Sequence, residues 1–553
     1  MAEPITRILI GNIRASVDAD EEQILKKAKD KMKRAGLNTS TLHFRLYKKS
    51  VDARHRDDIR FSCTVLAEGA VPSRFFAKER LQLSDAKLLE EEPLTPVFGT
   101  EMLNSRPLVV GMGPAGLFAA LLLARNGYAP ILIDRGGSVE ERVTDVARFR
   151  EHGILNTECN IQFGAGGAGT FSDGKLVTRI HDARCGFVLN TLCEFGAPTE
   201  ILVKAKPHVG TDLLRGVVSS MLAEIERLGG ELRYRCRMDD FFEGADGSIR
   251  VVTNQGELRC GALILAVGHS ARDTYVKLLE KNMAIEPKPI SVGVRVEHLQ
   301  QDIDQALYGR FAGHPNLGPA EYALSDTKGD RGVYTFCMCP GGEVVAAASE
   351  EGGLVVNGMS NHARNGKNAN AAVAVSVGCA DIEAMDGSLA LGAIAFQRRL
   401  ERAAFVAGGG NYEAPVMTMG DFLSEKRGNE PSRILPTYRG GKVRISDFSS
   451  IFPSFVTKSL RYGFSAFGKK LSGYDVPDAV LTAAETRTSA PVRILRDPAT
   501  LSAIGHTRIY PCGEGAGYAG GITSAAVDGV RIALALMERF APLCDREAKE
   551  VEA

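Results

Sequence analysis

The sequence predicts an α/β protein that is organised around a parallel sheet, and three observations carry this prediction. A short apolar run at 108–110 leads into a GxGxxG run at 111–116 and then into an apolar stretch of helical length. A second apolar strand, at 131–133, ends at Asp134. Near the other end of the chain, 507–522 again leads from a short strand through glycines into a helix. Strand, glycine turn and helix in this order are typical of a sheet that binds a dinucleotide.

The first glycine run has the residues that a pyrophosphate site needs. Gly111 permits the tight turn, Gly113 lets the backbone approach the phosphates, and Gly116 lets the helix lie close to the strand. Unpaired N–H groups at the helix start then face the anion, and Asp134 accepts hydrogen bonds from a ribose. This region predicts the dinucleotide contacts Gly111, Gly113, Pro114, Ala115, Gly116, Asp134 and Arg135. Alone, the pattern does not separate FAD from NAD.

The C-terminal glycine segment favours FAD. Glu514, at a strand end, suits the ribityl hydroxyls of a flavin, and the helix from Ile522 directs a partial positive charge at whatever lies before it. A reduced flavin carries negative charge near N1 and O2, so such a helix would favour reduction. The contacts predicted here are Gly513, Glu514, Gly520, Gly521 and Ile522.

With these segments in view, the chain resembles the bacterial FAD-dependent dehydrogenases of unassigned substrate, within the glutathione-reductase-like flavoprotein superfamily. The resemblance covers nearly the whole length and is carried by the segments 160–175, 268–274, 336–342, 485–489 and 513–521. It departs from the family at Asp134 and Ala165, where Glu is more common. The resemblance implies a Rossmann-like FAD domain, at 105–286 and 481–553, that is interrupted by a substrate domain.

Within the FAD domain, two further regions supply predicted cofactor contacts. The apolar strand ending at Gly268 resembles a second turn near FAD, where Ala266 and Gly268 let the backbone pass the cofactor. The 160–175 loop lacks the strand and acid of a separate NAD site. The resemblance implies instead that it lies against FAD, with Gln162, Gly164 and Lys175 as contacts, although Lys175 as an ordinary surface lysine is an open alternative. Arg142, upstream, is predicted to contact a phosphate or the flavin.

Two modules accompany the FAD domain. Residues 1–95 read as strand, helix, strand, strand and predict a small ferredoxin-like module, with a basic hairpin tip at 48–56 that is either a solvated loop or a contact for RNA, an anion or a partner. A linker at 90–96 follows. Residues 287–480 predict an inserted domain with an antiparallel sheet, including alternation at 292–296 and a hairpin over 333–346.

Composition is that of a multidomain enzyme without a charge bias. The 553 residues exceed what one core usually organises, and 67 basic against 67 acidic residues leave no net attraction to nucleic acid or anionic membrane. The absence of a signal-peptide pattern and of a membrane-spanning run makes the cytoplasm the expected location. Eleven cysteines, an odd and scattered number, fit reduced thiols. The sequence shows no zinc-ligand cluster and no Ser/His/Asp hydrolase motif.

Cys337 and Cys339 are two apart on a predicted strand, so their side chains should share a face. A disulfide between them would be strained, and two thiols alone do not complete a zinc site. We therefore predict structural cysteines near the flavin pocket, in preference to redox catalysis. No CxxC or CxxxxC pair accompanies the FAD fingerprint.

The candidates for chemistry are Arg487, Glu485 and His269. Glu485 and Arg487 follow the inserted domain, at a junction where pockets form, and Glu485 is predicted to orient Arg487 toward an anionic substrate or the flavin. A structural ion pair is the alternative. His269 and Glu485 are candidate bases.

The predicted function is an FAD-dependent oxidoreductase that transfers a hydride between a small-molecule substrate and flavin N5, with an unknown external electron donor or acceptor. Two alternatives stay open. One is a flavoprotein that acts on RNA through residues 1–95, and the other is a non-catalytic redox sensor or scaffold. RNA retention that is sensitive to salt would favour the first. Partner capture that changes with the flavin state would favour the second.

Overall fold

A computed structural model describes residues 5–70, 85–89, 94–426 and 428–543. The N-terminal module forms one antiparallel sheet in the order β2-β3-β1-β4, with a helix against it. These elements follow the order that is predicted for a ferredoxin-like module, and residues 71–84, between β3 and β4, lie outside the described residues. The predicted linker at 90–96 also lies partly outside them. The elements are β1 (Ile5–Ser16), α1 (Glu21–Arg34), β2 (His43–Asp52), β3 (Arg60–Ala70) and β4 (Ala86–Leu88).

The next region forms the parallel sheet that the glycine runs predict. Its apolar strands are short and buried, and a 17-residue helix spans 211–227. The elements are β5 (Pro107–Val110), α2 (Pro114–Arg125), β6 (Ile131–Ile133), α3 (Val139–His152), α4 (Arg184–Glu194), α5 (Thr211–Arg227), β7 (Glu231–Arg233), β8 (Met238–Glu243), β9 (Ile249–Thr253), β10 (Gly256–Cys260), β11 (Ala262–Leu265) and α6 (Arg272–Glu280).

A mixed α/β region then interrupts this sheet. Its elements are β12 (Ile285–Pro287), β13 (Ile290–Leu299), α7 (Gln300–Tyr308), β14 (Ser325–Asp326), β15 (Val333–Cys339), β16 (Glu343–Ala346), β17 (Val356–Met359), β18 (Asn368–Val377), α8 (Leu389–Ala407), β19 (Ala414–Thr418), α9 (Met419–Ser424), β20 (Val443–Ile445), α10 (Ser454–Lys470) and β21 (Val480–Glu485). The chain closes with β22 (Val492–Ile494), β23 (Ile509–Pro511) and α11 (Ile522–Arg539).

The two large sheets are built from different parts of the chain. The parallel sheet has the order β23-β11-β5-β6-β7, so the last strand of the chain completes it. The inserted region has a seven-stranded sheet, β14-β15-β18-β13-β21-β19-β20, which is antiparallel except for the β19–β20 pair. Since β21 reaches Glu485, the inserted sheet extends past the boundary predicted at 480. β12 pairs with β22 where the chain enters and leaves the insertion.

One strand pairing differs from the sequence prediction. The segments of the expected hairpin over 333–346 are both strands, but β15 pairs with β14 and β18, whereas β16 pairs with β17. The hairpin prediction is therefore wrong. Alternating residues predict a strand, but they do not determine its partner.

Apolar packing joins the modules. One continuous cluster includes Ile8 and Phe61 of the N-terminal module together with Ile290 and Val373 of the inserted sheet. A second cluster packs α2, α5 and α11 against one face of the parallel sheet. Across the described ranges, no helix has both the length and the apolar character needed to cross a bilayer.

Candidate active site

The candidate site is a cavity of about 310 Å³ at the edge where three neighbouring parallel strands end. Val110, Leu265 and Pro511, the last residues of β5, β11 and β23, are in register. The turns that follow these strands therefore meet at one edge of the sheet, the position where open α/β sheets bind ligands. The two glycine segments, remote in sequence, are brought together by this pairing.

The glycines of the first turn are required by close backbone contacts. A Cβ on Gly111, which has φ +108°, would lie 2.3 Å from the carbonyl oxygen of Ala266. A Cβ on Gly116 would lie 1.9 Å from the carbonyl oxygen of Gly111. The cavity is lined by Gly111 and Gly113, whereas Gly116 stands behind the turn and sets the packing of α2 against it.

Asp134 lines the cavity, but its carboxylate also holds the glycine turn. Its Oδ2 accepts a hydrogen bond from the backbone N–H of Met112 at 2.8 Å, and its Oδ1 accepts one from Gly136 at 2.8 Å. A carboxylate has further lone pairs, so a ribose contact is compatible with these bonds.

Arg142 has a different role from the predicted cofactor contact. Its side chain is fully buried, does not line the cavity, and donates to the carbonyl oxygens of Asn160 (2.8 Å), Ile161 (2.7 Å) and Ala165 (2.8 Å). Burial lowers the pKa of Arg142 to about 10. The guanidinium thus holds the 160–165 loop in place through its carbonyl groups. Gly164 does not line the cavity either. It packs against Arg142, where an added Cβ would lie 2.7 Å from Cδ of that side chain.

Most of the other predicted cofactor residues lie at the cavity. Gly513 is set back, with φ +74° and an added Cβ only 2.6 Å from Cβ of Ala115. Gln162 lines the cavity, donates to the carbonyl of Ala347 at 3.2 Å and accepts from Ser270 at 3.2 Å. The remaining predicted residues that line it are Pro114, Ala115, Arg135, Lys175, Ala266, Gly268, Glu514, Gly520, Gly521 and Ile522.

Lys175 is paired, not a free surface lysine. Its Nζ lies 3.2 Å from Asp173 and 2.9 Å from Glu321. Asp173, which also lines the cavity, forms an ion pair with Arg364 of the inserted region and accepts from Ser360. Burial opposes the charge on Lys175, but the two carboxylates outweigh it and raise its pKa.

Arg487 lines the cavity but is oriented by Glu401, not by Glu485. Its Nε and Nη2 donate to the Glu401 carboxylate at 3.1 and 2.9 Å, and its Nη1 donates to Ser349. The same carboxylate accepts from Arg272 at 2.7 and 2.9 Å. Burial, then repulsion by Arg272, lowers the pKa of Arg487.

Glu485 is away from the cavity, which corrects two predictions for this residue. It is fully buried and pairs with Arg295, at 2.9 Å to Nε and 3.2 Å to Nη2. It therefore neither orients Arg487 nor faces a ligand as a base. The reason is strand register, because β21 pairs with β13 and places Glu485 beside the strand that carries Arg295.

His269 and Glu514 face each other across 4.0 Å at the cavity. Burial, then the positive charges of Arg487 and Arg272, lowers the pKa of His269 to about 3, so the ring is neutral at pH 7. Its Nε2 is buried and has no protein partner. Burial raises the pKa of Glu514 to about 7, despite Lys288 nearby. The cavity thus contains one unsatisfied imidazole nitrogen and one carboxyl that titrates near neutrality.

Several cavity residues have no clear sequence signal. Asp173 could have been found, since it lies in the same polar loop as Lys175, but nothing in the sequence marks Phe163, Met238 or Phe336. Among the inserted-domain polar residues that suit a ligand by type, Asn357 reaches the cavity, whereas the others are used within the protein. The others are Arg295, His298, Arg331, Arg364, Asn368 and Asn370.

The basic hairpin tip at 48–56 is docked against the rest of the chain. Lys49 exchanges backbone hydrogen bonds with Val203 (2.8 Å) and Ala205 (2.9 Å). Arg56 donates to the carbonyl of Gln305 at 2.9 Å, and Arg54 pairs with Asp52. Much of the tip therefore serves intramolecular contacts, which does not favour the RNA alternative.

Comparison with known proteins identifies the family. The family described as "FAD-dependent protein, C-terminal domain-like" matches residues 289–488, and a domain of unknown function (DUF8436) matches residues 7–68. A protein of Clostridium beijerinckii described as uncharacterized is 46% identical over 542 residues, which cover 96% of this chain and 99% of that protein. The chain belongs to the same family as this protein, and its residues 289–488 match the FAD-dependent domain family.

Solved structures with a similar chain path include two flavoproteins. The structure of CtdE in complex with FAD is 11% identical, covers 79% of this chain and 87% of that chain, and has a TM-score of 0.32. The halogenase PltM in complex with phloroglucinol and FAD is 11% identical, covers 79% and 71%, and has a TM-score of 0.36.

FAD is the cofactor of this family, and the residues present fit it. Three observations of the cavity support the fit: backbone turns that exclude any Cβ at Gly111, the start of a buried helix at Pro114, and the unsatisfied Nε2 of His269. The first two suit a pyrophosphate. The unsatisfied Nε2 of His269 suits a hydrogen bond to a polar ring atom or a hydroxyl group of the cofactor.

Proposed function

We propose that this protein is an FAD-dependent oxidoreductase that transfers a hydride between a small-molecule substrate and the flavin. The observation that carries the proposal is the composition of the cavity described above. Its nucleotide wall consists of the glycine turns at 111–115, 266–268 and 512–522, and its inserted-domain wall consists of Phe336, Cys337, Asn357, Arg487 and Thr488. A cofactor site and a set of varied side chains from a second domain thus face the same space.

The proposed division of labour follows from these walls. The nucleotide wall holds the cofactor through backbone N–H groups and through the ribose-facing Asp134. FAD, when bound, accepts or gives a hydride at N5. The inserted-domain wall positions the substrate beside it, as expected for pockets at domain junctions.

Charge on the inserted side favours an anionic group in the cavity. Arg272, Arg398 and Arg487 share the carboxylates of Glu350 and Glu401, so three positive charges meet two negative ones and one positive charge remains. In a buried cluster this excess acts over a longer range than in water. It would stabilise a reduced flavin or a substrate carboxylate.

We assign proton handling to Glu514 in preference to His269. A carboxyl with a pKa of about 7 holds and releases a proton near neutral pH, which suits a general acid or base. The imidazole of His269 stays neutral at that pH and is a hydrogen-bond partner for the ligand. Glu485 is not part of this proposal.

The experiment starts from the absorption spectrum of the purified protein and its anaerobic reduction by NADH, NADPH and metabolite pools. For any compound that reduces the flavin, Arg487→Ala should slow reduction at least about tenfold while FAD stays bound. Arg398→Ala is the matched comparison, because it removes the same unit of charge from the cluster but Arg398 pairs with Glu350 and does not line the cavity, so a smaller effect than that of Arg487→Ala measures the contribution of contact at the cavity.

Two results would contradict the proposal. Folded protein that is colourless and takes up no FAD would remove the cofactor on which it depends. FAD-bound protein that no donor reduces, but that captures a partner only in one flavin state, would favour the non-catalytic sensor.

A further inference from the structure

A pair of thiols faces the cavity from the inserted-domain wall. Cys337 lines the cavity and is half-buried, and Cys339 is fully buried behind it. The Cys339 thiol donates to the carbonyl oxygen of Cys337 at 3.3 Å, which holds it against the backbone of the other cysteine. Both cysteines are reduced in this structure.

The backbone here is not the extended strand on which the sequence argument about strain depended. Cys337 has φ +43°, in the left-handed region that few non-glycine residues adopt. The pairing of β15 with β18 shifts register between Phe336 and Cys339. In an extended strand, residues two apart are about 6.6 Å from each other, near the upper limit for a disulfide. The bulge removes that extended geometry and turns Cys337 toward the cavity.

The buried Arg295, which is paired with the Glu485 carboxylate, lies directly beneath the two thiols. Arg295 Nη1 donates to the carbonyl oxygen of Cys337 at 2.9 Å and lies 4.0 Å from Sγ of Cys339. The neighbouring Cys339 thiol, followed by the charges of Arg295 and Lys175, lowers the pKa of Cys337 below its usual value, although burial and Asp173 oppose this. The pKa of Cys339 is raised well above its usual value, first by its bond to Cys337.

This arrangement separates the roles of the two sulfurs. Cys337 is the thiol that lines the cavity and has the lowered pKa, whereas Cys339 is enclosed behind it, has a raised pKa and contacts the Cys337 backbone. A low-pKa thiol that is exposed beside a second thiol is the usual form of a reactive dithiol. Cys512 is an instructive contrast, because it also lines the cavity, yet burial raises the pKa of its thiol well above the usual value.

We propose that Cys337 and Cys339 form a redox-active dithiol that exchanges two electrons with FAD and, through Cys337, with a low-molecular-weight disulfide. The proposal extends the proposed function by adding a second redox centre to the same cavity. It names the substrate class as a disulfide small enough to reach Cys337.

The electrons and protons balance without a further reactant. When the dithiol is oxidised, the Cys337 thiolate and the Cys339 thiol form one S–S bond, and two electrons and the Cys339 proton pass to FAD, which becomes the reduced anionic flavin. In the opposite direction the reduced flavin cleaves that bond. The Cys337 thiolate then attacks the external disulfide and releases one thiolate, and Cys339 displaces the second thiol from Cys337.

The decisive experiment is an anaerobic dithionite titration of the FAD-bound protein after treatment with diamide and its removal. The wild type should take up four electrons per FAD, two for the flavin and two for the disulfide. Cys337→Ser and Cys339→Ala should each take up two. Cys379→Ser is the matched control and should take up four, because Cys379 is a partly exposed thiol outside the cavity.

A second measurement does not depend on the flavin. Alkylation by iodoacetamide, mapped by peptide mass, should modify Cys337 with a midpoint clearly below the pH of about 8.5 that is usual for a free cysteine. In Cys339→Ala, which loses the S–H donor, the midpoint should move toward about 8.5, the value of a free cysteine. Peptide mapping after diamide should find the Cys337–Cys339 disulfide.

The outcomes separate this inference from the proposed function. Uptake of two electrons by diamide-treated wild type with FAD bound, or a Cys337 alkylation midpoint that ignores Cys339→Ala, overturns the dithiol and leaves the flavoenzyme intact. Protein without FAD that still forms the mapped disulfide supports the dithiol while contradicting the flavin site.

Discussion

The two walls of the cavity are built by different physical means. The nucleotide wall is made largely of backbone, since its turns need glycine wherever another chain segment approaches, as at Gly111 and Gly116. The inserted-domain wall is supported by buried ions. Its side chains are held by partners that are remote in sequence, such as Glu401 for Arg487 and Arg295 for Asn357.

This difference predicts how each wall responds to substitution. A turn that excludes a Cβ tolerates no substitution, because the clash is with backbone that cannot move without displacing a strand. When an ionic cluster loses one member, the loss of stability depends on how much buried charge is left without a partner. The comparison therefore predicts all-or-none losses on one wall and graded losses on the other.

The largest effect should come from Gly116→Ala. The new Cβ would lie 1.9 Å from the carbonyl oxygen of Gly111, so α2 cannot keep its position behind the turn. We expect loss of bound FAD, measured as absorbance near 450 nm per mole of protein, together with a lowered unfolding temperature.

Gly186→Ala is the matched control for this change. A Cβ at Gly186, on α4, meets nothing within 4 Å, so the variant should keep FAD and gain about 0.5–1 kcal/mol of helix stability. If Gly116→Ala also remains yellow and stable, the nucleotide wall is more plastic than its contacts indicate.

The same contrast explains which parts of the site could be read from the sequence. The turn at 111–116, Asp134 and the helix at Ile522 are local patterns, and each lies at the cavity or against it. The partner of Arg487 is not local. Glu485 is two residues away in sequence, yet strand pairing assigns it to Arg295, and the observed partner, Glu401, comes from a helix 86 residues earlier.

The fold shows the same limit. Apolar runs and glycine turns were sufficient for β5, β6, α2 and α11, because these signals act within a few residues. The supposed hairpin over 333–346 failed because alternation identifies a strand without its partner. The prediction that Arg142 contacts the cofactor was wrong for a related reason. The residues next to Arg142 in the sequence do not reveal the loop carbonyls that it binds.

The next largest effect should come from Glu401→Gln. Burial opposes the charge of Glu401, but Arg272 and Arg487 outweigh it and hold its pKa well below the usual range. The variant leaves both guanidinium groups buried with reduced compensation, so the free energy of unfolding should fall by about 3–5 kcal/mol. Chemical denaturation of the FAD-bound protein measures this loss.

Glu413→Gln provides the comparison for a surface pair. Glu413 lies 3.5 Å from Arg444, and both side chains are partly exposed, so its loss should cost less than about 1 kcal/mol. Equal effects of the two variants would mean that the buried cluster has no special role in holding Arg487.

The smallest and most diagnostic effect concerns Glu514, an ionisable side chain on the nucleotide wall. Its pKa is about 7 in the folded protein against an ordinary 4.5. Between these values the folded protein keeps a proton that the unfolded chain has released, so stability falls as pH rises from about 4.5 to 7. The full shift corresponds to about 3 kcal/mol, and the actual cost is smaller because 25% of the side chain is exposed.

Glu514→Gln removes this titration and should therefore become more stable relative to the wild type as pH increases from 5 to 8. Thermal unfolding of both proteins across this range, with Gly186→Ala as a variant that changes no ionisable group, measures the trend. Parallel curves for Glu514→Gln and the wild type would mean that water solvates this carboxyl as it does a surface acid. The nucleotide wall would then depend on backbone contacts alone, and it would differ from the inserted-domain wall more strongly than we propose.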